Sequence, residues 1–198
     1  MIKAATIISL IFFIALYACN SKPGKTDTNI ITKYISKNTD SFNLAFDSVL
    51  NEYNQLKTAF INWDTAKVNT SASVLQRLLI YVPYEQLKDA AVAAKANGIA
   101  QNAADAIQVL INQDSINNKR RIFYTLSESI YNLAKTVQYD KSVIYHKKCP
   151  MAFNGEEQGW WFSQTKKIDN PYFGNKHPKY KNAMLECGTI EDSINNIP

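Results

Sequence analysis

Apolar positions recur along the middle of this chain at alternating steps of four and three, the period of an amphipathic helix. Phe42, Phe46, Val49, Tyr53, Leu56, Phe60 and Trp63 form the first such seam. It predicts a helix starting near Ser41, with Asp40 or Ser41 as N-cap, because a side-chain oxygen there accepts from the first free amides. Val68, Ala72, Leu75, Leu79 and Val82 continue the alternation in a second helix, which opens at Asp64 or Thr65 and is stopped by Pro83. A third run, over residues 85–112, is rich in Ala and turns Leu87, Ala91, Ala94, Ala103, Ile107 and Leu110 inward. Asn97-Gly98 marks a break or kink in its middle. The fourth helix begins at Asp114 or Ser115 and carries Ile116, Phe123, Leu126, Ile130, Leu133 and Val137 on one face, with Lys119, Arg120 and Glu128 elsewhere. Four amphipathic helices with short connections predict an all-α fold, an antiparallel four-helix bundle.

The helical period ends after Tyr139-Asp140. The segment beyond it, about residues 141–190, reads as an irregular C-terminal cap. Val143-Ile144-Tyr145 is a short extended piece, and Asn154-Gly155 and Asn170-Pro171 are turn signals. Trp160, Trp161, Tyr172 and Phe173 are expected to pack this cap onto the helices, since bulky rings in an irregular segment need a surface.

The other end of the chain sets the compartment. Met1-Ile2-Lys3 is a positive start, and the apolar run from Ile7 to Leu16 is too short to span a bilayer. It ends Leu16-Tyr17-Ala18-Cys19, which resembles a bacterial lipobox: residues 1–18 are then a lipoprotein signal peptide and Cys19 is the lipidated N-terminus. The alternatives are an ordinary signal peptide, or an unprocessed anchor with Cys19 incidental. Residues 19–39 are a polar tether, and residues 40–190 hold the bundle and cap. Asn20 follows the Cys where an Asp is absent, which by resemblance to lipoprotein sorting places the domain in the cell envelope, on the outer membrane facing the periplasm.

Charge and composition exclude more than they assign. The formal charge is +5 with 46% hydrophobic and 20% charged residues, an ordinary folded composition. The one tight basic run, Lys119-Arg120-Arg121, spreads over different faces of a helix, so nucleic acid is not an expected partner. There is no G-x-S-x-G elbow, no H-E-x-x-H and no phosphate-cradling Gly-rich loop. His146 and His177 are the only imidazoles. His177, before Pro178 in a Lys/Asn-rich loop, reads as exposed, and Glu156-Glu157 and Glu191-Asp192 read as solvated turns. No catalytic residue is assigned and the chain is not expected to be an enzyme.

The candidate chemistry is soft. His146-x-x-Cys149-x-Met151 and Met184-x-x-Cys187 bring thiolate, thioether and imidazole donors into two short clusters. Thiolate and thioether sulfur favour Cu(I), while a zinc site would want His146 to complete a tetrahedral set. The metal ligands would be Cys149, Met151, Met184 and Cys187, with His146 as a further candidate. The same spacing also fits a plain structural disulfide between Cys149 and Cys187 in an oxidising compartment, with both Met residues as core filler. Spacing leaves both readings open.

A resemblance adds to this. The run Y-H-K-K-C-P-M-A-F-N-G, followed by W-W-F, I-D-N-P-Y-F-G and M-L-E-C-G, resembles the bacterial family catalogued as domain of unknown function 3347. The upstream R-R-I-F-Y-T-L-S-E-S-I-Y-N-L is similar to the helix that precedes that family's Cys-Pro-Met motif. The likeness runs from about Phe42 to Ile190 and places Cys149, Met151, Met184 and Cys187 at motif positions. It implies a periplasmic or lipoprotein domain linked to copper or related ions, with a metal-efflux component as partner, because some members are joined to heavy-metal efflux adaptors. It implies no enzymatic activity. His146 departs from a Tyr-x-x-Cys-like variation, and residues 175–183 look like an insertion. Two functions are therefore expected. One is binding or handing over Cu(I). The other is a non-catalytic interaction or scaffold domain with a structural Cys149–Cys187 disulfide.

Overall fold

A computed structural model describes residues 36–153 and 155–197. The expected lipobox, the expected lipidation site Cys19 and nearly all of the expected tether lie outside the described residues. No helix among the described residues is long and apolar enough to cross a membrane.

Four helices form as the period predicts: α1 (Asp40–Ile61), α2 (Thr65–Tyr81), α3 (Ala90–Ile111) and α4 (Ile116–Thr136). Asp64 and Ser115 cap α2 and α4 by accepting from the Lys67 and Asn118 amides. The cap of α1 is Thr39, one residue before the predicted positions, accepting from the Phe42 N–H. Phe42, Phe46, Val49, Leu56 and Phe60 are fully buried, as are Val68, Leu75, Leu79, Ile107, Leu110, Phe123, Leu126 and Ile130.

Three expectations about the helices are corrected. The run over residues 85–112 is not one helix: a 3₁₀ turn (Tyr84–Gln86) and the Asp89 cap precede α3, so Ala91 and Ala94 lie exposed in its first turns. Asn97-Gly98 does not interrupt α3, because Gly98 sits on the open side with nothing within 4 Å of where a Cβ would be. Trp63 is past the end of α1 in a left-handed conformation (φ 59°).

The cap is not irregular. It is a three-stranded antiparallel sheet of β1 (Ile144–Phe153), β2 (Glu157–Ser163) and β3 (Thr189–Ile194), in the order β2-β1-β3. Side chains alternate across a strand, and the register sorts them into two faces. His146 lies beside Phe162 and Lys148 beside Trp160 on one face, while Lys147 lies beside Trp161 and Cys149 beside Gly159 on the other. The first face meets the helices: Phe162 stacks on Tyr53 of α1 at 3.8 Å between ring centroids. The second is covered by the connection between β2 and β3, where Tyr172 meets Trp161 edge-on and a Cβ at Gly188 would strike the Trp161 ring at 2.6 Å.

The outer edge of β2 is closed by two tyrosines. The Phe162 N–H donates to the Tyr53 hydroxyl at 3.3 Å, and the Tyr172 hydroxyl donates to the Trp160 carbonyl. On β3 the register shifts at Glu191, and Asp192 takes the Ser193 N–H. Both are ways to stop an edge strand from pairing further.

Candidate functional site

The connection between β2 and β3 is positioned by the Asn-Pro-Tyr-Phe-Gly segment. Asn170, fully buried, accepts the Tyr172 and Phe173 N–H groups on its side-chain oxygen and donates its amide to the Cys187 carbonyl at 2.7 Å. Gly174 adopts φ +62° where a Cβ would lie 2.3 Å from the Ile61 carbonyl oxygen, so only glycine lets the loop approach the end of α1 this closely. The Asn175 N–H then binds the Ile61 carbonyl at 2.8 Å, and the Trp63 indole binds the Phe173 carbonyl at 2.7 Å.

Arg120, read as off the core face, is 2% exposed and ties this junction together. Its guanidinium donates to the Phe60 carbonyl and the Pro171 carbonyl, both at 2.9 Å, and stacks 3.9 Å from the Trp63 ring. Burial pulls its pKa down to about 9. Lys119 is equally buried because its ammonium caps the end of α3, donating to the Leu110 and Ile111 carbonyls. His177 is also not simply exposed: it packs against Trp63, Phe173 and Tyr180, and its Nδ1 accepts the Lys179 and Tyr180 N–H groups.

This scaffold brings the two cysteines together. Cys149 is fully buried on β1, Cys187 is half-buried just before β3, and their sulfurs are 2.7 Å apart as free thiols. Burial, then the Cys149 sulfur, pushes the Cys187 thiol up to about 12. His146 does not join them. It is on the opposite face of β1, sandwiched between Tyr131 at 4.0 Å and Trp160 at 4.5 Å, with Nε2 2.6 Å from the Glu128 carboxylate. Three residues along a strand reverse the face, so His146 cannot share a site with Cys149. Met151 is 39% exposed within the irregular stretch of β1 between Cys149 and Phe153, and Met184 is half-buried one turn before Cys187, whose N–H binds the Met184 carbonyl. Among the described residues no group of three or more His, Cys, Asp and Glu side chains converges as a metal site would require.

The paired carboxylates are structural. Glu157 forms an ion pair with Arg121 at 2.8 Å, and Asp192 accepts from Lys135 and Tyr131. Sequence reading missed Lys57 and Lys147, which are 6% and 1% exposed. Lys147 alternates onto the face of β1 covered by the β2–β3 connection, a placement visible only once the strand is known.

Residues 49–142 match the signature of a family described as "Protein of unknown function (DUF3347)". This segment belongs to that family. The DUF3347 match covers most of α1 through α4 and ends just before β1, so the sheet and the cysteine pair lie beyond it. No curated protein and no solved structure matches the chain.

Proposed function

We propose that this DUF3347 protein is a non-catalytic interaction or scaffold domain, held to the bacterial envelope through lipid on Cys19, whose sheet is locked by a Cys149–Cys187 disulfide. The observation that carries this reading is the placement of the two sulfurs at 2.7 Å on a rigid strand and a loop tied down by Asn170. The lipobox supplies the oxidising compartment in which such a bond persists.

The Cu(I) reading fits these residues less well. A zinc–sulfur bond is about 2.3 Å, and an ion of similar size shared by two thiolates holds its sulfurs well over 3 Å apart. The pair must separate to admit one, and burial with the Cys149 sulfur alongside disfavours the Cys187 thiolate. His146 is committed to Glu128, and Met151 stands exposed while Cys149 is buried.

Thiol counting on protein taken from its native compartment, with urea unfolding in the presence and absence of dithiothreitol, tests the proposal. A disulfide closing a loop of 187 − 149 = 38 positions contributes about 4 kcal/mol in the chain-entropy model. The expected result is no free thiol on Cys149 or Cys187 and a loss of that order on reduction. Two free thiols that bind Cu(I) tightly against a chelator, with loss in Cys149→Ser and Cys187→Ser, would return the function to the metal.

A further inference from the structure

We propose that the end of the bundle at which the chain arrives from Cys19 is a basic face that docks on an anionic phospholipid surface, which rests on the envelope anchor proposed above. The described chain begins there. The Ser36 hydroxyl donates to Asp140 at 2.7 Å and the Asn38 amide to the Val137 carbonyl at 3.0 Å, tying the start of α1 to the end of α4. Three open clefts adjoin around that junction. One is lined by Lys95 and Lys135, a second by Lys37, Lys135 and Gln138, and a third by Lys37, Lys88 and Gln138. The residues they share make one continuous surface, and all four lysines on it are exposed.

The charge of this face is open to a partner. Among the described residues the Lys88 and Lys95 ammonium groups have no hydrogen-bond or ion-pair partner, and Lys37 reaches the neutral Gln138 amide oxygen at 3.0 Å. Of the residues lining the three clefts only Asp89 is acidic, and its carboxylate caps α3 by accepting the Ala91 and Val92 N–H groups. Two further carboxylates lie close by, each already committed. Asp140 is 1% exposed and accepts from Ser36 and the Lys37 N–H. Asp192 pairs with Lys135 at 2.6 Å, so Lys135 is the one cation of the four that is matched by an acid.

Position selects a lipid surface over an acidic protein. Ser36 is 36 − 19 = 17 positions after Cys19, and the residues between carry Lys22, Lys25 and Lys33 against Asp27 alone, so the sequence adds positive charge on the side of the anchor. An anchored chain keeps this end near the headgroups at high effective concentration, and each lysine close to an anionic surface strengthens association about fivefold. Three more exposed lysines, Lys176, Lys179 and Lys181, stand at the other end of α1, in the loop whose Asn175 N–H binds the Ile61 carbonyl. The helix of 22 residues between the two ends spans about 33 Å. That is several Debye lengths at physiological salt, so a membrane met by the first end leaves the second in solvent.

The test uses the full chain isolated from its envelope and bound to vesicles of phosphatidylcholine, alone or mixed with phosphatidylglycerol. Acetylation of each lysine is followed by peptide mass mapping. Lys88 and Lys95 should react at least about fivefold more slowly on the anionic vesicles than on the neutral ones, while Lys176, Lys179 and Lys181 react alike on both. High salt should remove the difference, since it screens exposed charge. The Lys88→Gln/Lys95→Gln double variant, altered only at exposed positions, should lose the protection of Lys37. The mass of the N-terminal peptide reports lipid on Cys19 separately, so a missing anchor and a missing docking face are told apart. Equal rates at Lys88 and Lys95 on the two vesicles, or equal protection of both ends of the bundle, overturn the proposal. Protection of the same lysines by soluble polyglutamate but not by anionic vesicles overturns it in favour of an acidic protein partner.

Discussion

The side-chain amide of Asn170 donates to the Cys187 carbonyl at 2.7 Å, while the Asn170 backbone N–H reaches the Leu185 carbonyl at 2.8 Å. One buried residue therefore fixes the backbone on which the second cysteine stands. Its side-chain oxygen, shared by the Tyr172 and Phe173 amides, builds the turn that starts the same loop. Asn170→Ala strands these groups in the interior, at about 1–3 kcal/mol for each left unsatisfied. The variant should lose about 3 kcal/mol in urea unfolding and reoxidise its Cys149–Cys187 pair more slowly than the parent. Unchanged reoxidation would show that the loop holds Cys187 without Asn170.

Arg120 joins α1, α4 and the loop through two backbone carbonyls and the Trp63 face. Arg120→Ala should cost about 3 kcal/mol or more, because both carbonyls lose their donor in a dry site. Arg120→Lys should recover little of that, as a point ammonium has neither the fork nor the flat surface for the indole. Thermal unfolding of the two variants measures the difference; equal stability of Lys and Arg at this position would mean that charge alone matters.

How legible the structure was depended on the element. The helices declared themselves because one side of each is buried and the other wet, so Phe46, Leu56, Phe123 and Leu126 fell on seams of period 3.6. β1 is buried from both sides, by helices and by the β2–β3 connection, and its burial pattern does not alternate. With Lys147, Lys148 and Pro150 inside it, the strand read as loop. That one miss hid two facts about the site: His146 and Cys149 are on opposite faces, and Lys147 is internal. Lys119 and Arg120 were misread for a different reason, since a charge that ends on backbone carbonyls leaves no mark in a hydrophobic pattern. The meeting of Cys149 with Cys187 was within reach of the sequence because few other partners existed for either.

Gly174→Ala is expected to be the most damaging single methyl group in the loop. The new Cβ would stand 2.3 Å from the Ile61 carbonyl oxygen, at a backbone φ of +62° that L side chains rarely adopt. Backbone cannot yield as a flexible side chain can, so the loop should lift from the end of α1. Hydrogen exchange should then speed up at the Gly174 and Asn175 amides, which bind the Asn170 and Ile61 carbonyls. Gly98→Ala is the contrasting control: with open space around it in mid-helix, it should stabilise α3 by up to about 1 kcal/mol.

Lys57 also predicts how stability changes with pH in the oxidised protein. Its folded-state pKa of about 8 lies below the 10.5 of a free lysine, so between these values the unfolded chain binds more protons than the folded one. Stability then rises with pH across that window, because the cost of a buried ammonium is relieved as it deprotonates. Lys147, held at about 8, and Arg120, held at about 9, act with the same sign. Tyr53, Tyr84, Tyr131 and Tyr139 act oppositely and at higher pH, since burial raises each of them above the usual tyrosine value. Around Lys57 burial is the main cause; Asp169 favours the ammonium and Lys167 opposes it less strongly, while Lys147 is itself lowered by burial and by Lys57. Lys57→Met should therefore be more stable than the parent near pH 7, with an advantage that shrinks by about pH 9.5 as the parent sheds its proton. Urea midpoints of parent and variant at the two pH values decide it. A variant whose advantage is the same at both would mean that Lys57 gains only packing from the substitution, and that its ammonium carries no penalty in the folded protein.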